Sequence, residues 1–89
     1  MDSERRTVMV AERSVTLTPR EFDLLSALVE AQGRIVTHGA LLQRVWGKAH
    51  RDDIDYLRVA IRSLRLKIED DASRPHRIRN EPGVGYCLG

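Results

Sequence analysis

The stretch Asp53-Ile54-Asp55-Tyr56-Leu57-Arg58-Val59-Ala60-Ile61-Arg62-Ser63-Leu64-Arg65-Leu66-Lys67-Ile68-Glu69 decides how this chain reads. Leu57, Ile61, Leu64 and Ile68 recur at spacings of four, three and four, the single apolar stripe of a helix. The opposite side of that helix carries Asp55, Val59, Arg62, Ser63 and Leu66. Arg58 and Arg65 fall on one flank and Lys67 on the other. One face therefore suits a core. The other offers cations, a hydroxyl and short apolar groups, which fits a DNA major groove and equally an ordinary solvated surface. The residues around it have to separate the two.

Upstream, Thr18-Pro19-Arg20-Glu21 is a strong helix start. Thr18 caps, Pro19 suits the first helical position, and Glu21 completes a capping box. The helix that follows places Phe22, Leu25, Leu28 and Val29 on one face and is expected to end near Gln32, with Gly33 as its stop. Arg34-Ile35-Val36 reads as a short extended link. Thr37 then caps a second helix that carries Leu41, Leu42, Val45 and Trp46 and has Gly47 beyond it. Gly39 and Ala40 weaken its first turn, where an acidic residue would be favoured. Residues 47–53 form a polar loop, in which Asp52 or Asp53 can cap the third helix.

At the two ends the pattern turns to strand. Thr7-Val8-Met9-Val10 and Ser14-Val15-Thr16-Leu17 are β-branched runs that read as a hairpin, or as the last two strands of a larger sheet. Ala72-Ser73-Arg74-Pro75 breaks off the third helix. His76–Leu88 then reads as strand, Pro82-Gly83 turn and strand, with Ile78, Tyr86 and Leu88 facing inward and Arg77 and Arg79 outward. The order is strand pair, three helices, hairpin. A winged helix-turn-helix of the α+β class satisfies all of it.

Eighty-nine residues allow one small domain, here read as a single winged helix over 1–89. With 42% apolar and 31% charged residues of both signs, the chain can build a modest core and is not expected to be disordered. No apolar run reaches the length of a membrane span. The lone Cys87 fits a reducing compartment. The three histidines have no Cys or His at ligand spacing, so neither metal nor cofactor is expected. There is no Ser/His/Asp set and no phosphate-binding glycine loop, so catalysis is not expected either. The net charge of +2 is small but uneven. Residues 1–53 hold eight cations and eight acids, whereas residues 54–89 hold seven against five. The surplus sits on the third helix and the terminal hairpin, as suits a polyanion.

Four runs, Leu17-Thr18-Pro19-Arg20-Glu21-Phe22-Asp23-Leu24-Leu25, Leu41-Leu42-Gln43-Arg44-Val45-Trp46-Gly47, Arg62-Ser63-Leu64-Arg65-Leu66-Lys67-Ile68 and Gly83-Val84-Gly85-Tyr86, together resemble the OmpR/PhoB-type winged-helix effector domain of bacterial response regulators. The likeness covers about Thr7 to Leu88, and the Asp55-Tyr56-Leu57-Arg58 and Glu81-Pro82-Gly83 segments look nearest to its KdpE-like members. It implies a third helix (Asp53–Asp70) in the major groove and a wing (Arg77–Leu88) at the adjacent minor groove. It implies a loop (Gly47–Asp52) that touches RNA polymerase. It further implies a cytoplasmic regulator bound to double-stranded DNA as a homodimer, with a receiver domain that is phosphorylated by a sensor histidine kinase. The family's N-terminal sheet has four strands. Only two are expected here, which makes the chain look like a fragment without its receiver. Family wings often carry arginine where this chain has Pro82 and Cys87, so the wing is expected to contribute less.

Arg62 is the candidate for a bidentate guanine contact, against the plainer reading of a solvated arginine. Val59 and Leu66 suit thymine methyl groups, a neighbouring protomer or bare surface alike. Asp55 and Ser63 share that face. Arg58 and Arg65 are candidate phosphate binders, and Arg65 can instead pair with Glu69 four residues on. Tyr56 either reaches phosphate or sits half-buried at the domain edge. Arg77, Arg79 and the backbone amides around Gly83 can meet phosphate from the wing. Lys48, His50 and Arg51 are the candidates for a partner protein. His38 lies where it can approach phosphate, and Trp46 reads as a core residue with its N–H near the surface. The competing function is a protein-interaction winged helix without DNA contact, favoured by the low net charge and the exposed Val59 and Leu66. An activator fused to a membrane sensor is a third and remoter reading.

Overall fold

The computed structural model describes residues 2, 4–50 and 52–89. The chain opens with a hairpin of β1 (Thr7–Val10) and β2 (Arg13–Thr16), paired from Thr7↔Thr16 to Val10↔Arg13. Ala11 and Glu12 both take positive φ, the two-residue turn whose twist matches the strands it joins. Val8 and Val10 point into the core, while Met9 between them faces out.

Helix α1 (Pro19–Glu30) starts on the expected capping box: Thr18 Oγ1 accepts from the Glu21 N–H at 3.2 Å, and Glu21 Oε1 accepts from the Thr18 N–H at 2.8 Å. It ends two residues earlier than expected, at Glu30, and the positive φ of Gln32 and Gly33 turns the chain away. The expected apolar face needs one correction. Val29 is half-exposed, whereas Leu24 and Ala27 are buried. Helix α1 is covered on more than one side, so its buried arc is wider than a single stripe.

The link after α1 also departs from expectation. Val36–Thr37 is a strand, β3, antiparallel to the last strand of the chain through Val36↔Tyr86 and Thr37↔Gly85. Thr37 ends that strand and caps α2 (His38–Trp46), accepting from the Ala40 N–H. Gly47 ends α2 with φ near +104°, and a single 3-10 turn (Lys48–His50) leads towards α3 (Ile54–Ile68). Asp53 stands at the N-cap of α3 but makes no capping bond: its backbone lies outside the extended conformation of the Thr18 and Thr37 caps, and its Oδ2 pairs with His50 Nδ1 at 2.8 Å.

Strands β4 (Ile78–Glu81) and β5 (Gly85–Leu88) close the chain, and with β3 they form a three-stranded sheet in the order β3-β5-β4. Pro82 and Gly83 make the turn, with Gly83 at φ +76° as the second corner of a type II turn requires. Gly85 has a stricter reason to be glycine. A Cβ there would lie 1.9 Å from the Val36 carbonyl oxygen.

Leu24 and Leu28 of α1, Leu41 and Leu42 of α2, Leu57, Ile61 and Leu64 of α3, and Ile78 of β4 are essentially inaccessible to solvent. The predicted stripe of α3 thus becomes the floor of one shared core, and the predicted winged helix-turn-helix is the fold observed.

Candidate nucleic-acid interface

What lies on the outside of α3 is what its inside leaves over. Val59 is 70% exposed, Leu66 67% and Tyr56 52%. Arg58, Asp55 and Arg62 are exposed beside them, with the Arg58 guanidinium 3.7 Å from the Asp55 carboxylate. Among the described residues Arg62 makes no hydrogen bond and no ion pair. Val59, Arg62 and Leu66 stand three and four residues apart, so they form one outward strip.

One expected member of that face, Ser63, is engaged elsewhere, together with Lys67 from the flank. The Ser63 hydroxyl donates to Glu21 Oε2, and Lys67 Nζ donates to Glu21 Oε1 at 2.6 Å. Glu21 is almost fully buried, and its carboxylate ties the first turn of α1 to the C-terminal half of α3. Burial by itself would raise its pKa. The bonds from Lys67, Ser63 and the Thr18 N–H outweigh that and hold it below the ordinary value. Arg65 is likewise turned inward. Its Nη2 donates to the Ile78 carbonyl at 3.0 Å and its guanidinium lies 5.7 Å from the Tyr86 ring centroid. The alternative pairing of Arg65 with Glu69 is not formed.

Glu69 is committed to the wing. Its buried carboxylate accepts the backbone N–H groups of His76, Arg77 and Ile78 at 2.8 to 3.1 Å. Here too burial pushes the pKa up, and the three amides with the nearby His76 bring it below normal. The end of α3 and the start of β4 are thereby one unit. Arg77, expected to face out, is half-buried, with its guanidinium 3.5 Å from Asp70. Arg79 is exposed, as expected. The wing tip offers Glu81, Pro82, Gly83 and a half-exposed Val84, with no cation among them.

A cleft of about 630 Å³ opens between the start of α1, the end of α2 and α3. Arg20 lies 5.4 Å from the Trp46 ring, and Tyr56 leans on Trp46 and on His50 at centroid distances of 6.3 and 5.8 Å. Trp46 is partly buried against the core, and Tyr56 is half-exposed, which leaves its hydroxyl open to an external contact. Lys48 and His50 lie on the 3-10 turn, and Arg51 lies outside the described residues. His38 packs edge-on against Tyr86 at 5.5 Å. Among the described residues no group of His, Cys, Asp and Glu has the makings of a metal site, and no helix is long and apolar enough to cross a membrane.

Sequence reasoning missed the roles of Glu21, Lys67 and Glu69. Glu21 was visible as a capping residue, but its second task depends on a helix more than 40 residues away.

Comparison with known proteins agrees with this geometry. Residues 12–88 match the family described as "Transcriptional regulatory protein, C terminal". The sensory transduction protein RegX3 of Mycolicibacterium smegmatis is 42% identical over 88 residues, covering 99% of this chain and 39% of the relative. The transcriptional regulatory protein KdpE of Mycobacterium tuberculosis is 40% identical over 86 residues, covering 97% of this chain and 38% of the relative. The likeness to KdpE is therefore shared with another branch. Among solved structures, the Klebsiella pneumoniae RstA DNA-binding domain in complex with the RstA box superposes with a TM-score of 0.83 at 35% identity, covering 98% of this chain and 86% of that one. The chain spans about two fifths of the length of the curated relatives it matches.

Proposed function

This chain belongs to the family of transcriptional regulatory protein C-terminal domains of the OmpR/PhoB winged-helix type, and from that premise we propose that it is the sequence-specific DNA-binding effector domain of a two-component response regulator. The family is one of transcription regulators rather than enzymes. The observation that carries the reading is the outward strip Val59, Arg62 and Leu66 on a helix whose C-terminal half is anchored by two buried carboxylates, Glu21 through Ser63 and Lys67 and Glu69 through the start of the wing. A base-reading helix has to be held rigidly, because discrimination depends on where donors meet base edges.

In this reading α3 enters the major groove and Arg62 pairs with a guanine. Val59 lies against a neighbouring base edge, and Asp55 stands at the entrance of the groove. Arg58, Arg79, the Tyr56 hydroxyl and the amide of Gly83 meet phosphate. Ser63 and Arg65 are left out of the contact set because the Ser63 hydroxyl is engaged by Glu21 and the Arg65 guanidinium is turned inward, with Nη2 on the Ile78 carbonyl and Nε buried. Arg77 reaches phosphate only by leaving Asp70. The wing lies near the minor groove and contributes little charge to it.

The remaining partners follow from the same assignment. A receiver domain, phosphorylated by a sensor histidine kinase, controls this domain. Two copies occupy adjacent half-sites, because one domain of this size buries a modest interface and gains affinity by tandem binding. The loop that carries Lys48 and His50 faces RNA polymerase.

Titration of a selected operator and of random duplex DNA at several salt concentrations tests the reading. Affinity should fall with salt on a log–log plot. Arg62→Ala should cost about 1–3 kcal/mol on the operator and relax preference at one or two base pairs, while binding to random DNA changes little. A salt slope near zero, with no operator preference, would move the function to a protein-interaction winged helix.

A further inference from the structure

We infer that Leu66, with the Ala72 methyl beside it, reads the 5-methyl group of a thymine within about two base-pair steps of the base contacted by Arg62. This rests on the DNA-binding reading above and assigns the chemistry of one further operator position. The C-terminal end of α3 and the following loop enclose a shallow concavity of about 310 Å³ lined by Arg62, Arg65, Leu66, Ala72 and Ser73. Most of its polar groups are spoken for. Arg65 Nη2 donates to the Ile78 carbonyl and the Ser73 hydroxyl donates to Asp71 Oδ1 at 2.6 Å. What remains on offer is the guanidinium of Arg62 and the methyl groups of Leu66 and Ala72.

That remainder selects a class of ligand. A phosphate needs donors within reach, and Arg62 is the exposed lining donor without a partner among the described residues; Arg65 Nε is also unpaired but is buried out of reach of solvent. An apolar ledge gains only from apolar surface, and in the major groove the thymine methyl is the apolar group on offer. Leu66 is 67% exposed on a helix whose buried stripe is otherwise complete, so its side chain is free for an external contact. It follows Arg62 by four residues, about 6 Å along the helix axis. The helix is inclined to the duplex axis, so at 3.4 Å per base pair that separation spans at most about two steps.

The test replaces single thymines of a selected operator by deoxyuridine, which removes only the 5-methyl group, and titrates the chain and its Leu66→Ala variant against each duplex. One replacement near the Arg62-contacted guanine should weaken the unmodified chain about fourfold, the effect of withdrawing one methyl group from apolar contact. Leu66→Ala should bind thymine and uracil duplexes equally at that position, while still losing affinity on replacement elsewhere if Val59 also contacts a methyl. Leu66→Gln, which keeps the length of the side chain, should lose the same discrimination. Thermal melts of the variants should match the unmodified chain, because the residue is exposed. If every uracil replacement weakens the chain and both variants by the same factor, the assignment to Leu66 is overturned while the DNA-binding reading stands. Absence of any operator preference in the unmodified chain would overturn both.

Discussion

The outward strip of α3 and the tip of the wing, the two surfaces that the proposed reading sets against DNA, are equipped very differently. The helix shows Arg58, Arg62, Val59 and Leu66 on a rigid rod. The wing tip shows an acid, a proline, a glycine and a half-exposed valine. Arg77, the cation nearest the start of the wing, folds back on Asp70. The wing here works chiefly as structure: through Glu69 it holds the end of α3, and through β3 it holds the start of α2. In the proposed reading, recognition therefore concentrates on the helix. A fold shared with other regulators does not fix how the contacts divide between its two arms.

Three changes probe that division. The largest effect is expected at the joint between the wing sheet and β3. Gly85→Ala would drive a Cβ into the Val36 carbonyl, and neither backbone can retreat without breaking the sheet. A loss of about 3 kcal/mol in urea denaturation is expected, at the upper end of the usual cost of overpacking. A loss below 1 kcal/mol would show that β3 is dispensable to the wing.

Next in size is Glu69→Gln. The amide would present its own N–H₂ to a cluster of three backbone N–H groups, so a stability loss of about 2 kcal/mol is expected. If the helix dominates recognition, the ratio of operator to random-DNA affinity should survive in the folded fraction. A collapse of that ratio would mean that the wing reads sequence after all. The same carboxylate, with Glu21, predicts the acid limb of stability. Both titrate below their ordinary value of 4.5 in the folded chain, so their contribution is complete above about that pH and is lost as pH falls through the lowered values. The melting temperature should fall steeply on acidification below pH 4.5, and less so in Glu69→Gln, which has one such group fewer.

The smallest expected effect comes from arming the wing. Pro82→Arg would place a cation at its tip. Affinity for all sequences should rise a few-fold, with the salt slope steepened by about 0.9 for one added phosphate contact. No change in slope would place the wing tip away from DNA.

Much of this architecture was legible in advance because its signals are local. The Thr18–Glu21 capping box, the Thr37 cap, Gly47 after α2 and the Pro82-Gly83 turn each depend on residues within one turn of chain. The α3 stripe was equally plain. The misplacements have local causes too. Asp53 is a good capping residue by type, but His50 competes for its carboxylate. The strand character of Val36–Thr37 is only two residues long, too short for any alternation to show.

The candidate site was less legible, and the reason is burial. Periodicity assigned Asp55, Val59, Arg62, Ser63 and Leu66 to one face, and by itself it determined that a polar, cationic surface would stand opposite a core. Which members of that face stay free was decided by tertiary packing alone. A buried carboxylate must find donors wherever the fold supplies them. Glu21 found Ser63 and Lys67 at sequence separations of 42 and 46, and Glu69 found the backbone of a strand it precedes. Those long-range demands have no periodic trace in the chain. They leave Val59, Arg62 and Leu66 as the outward strip.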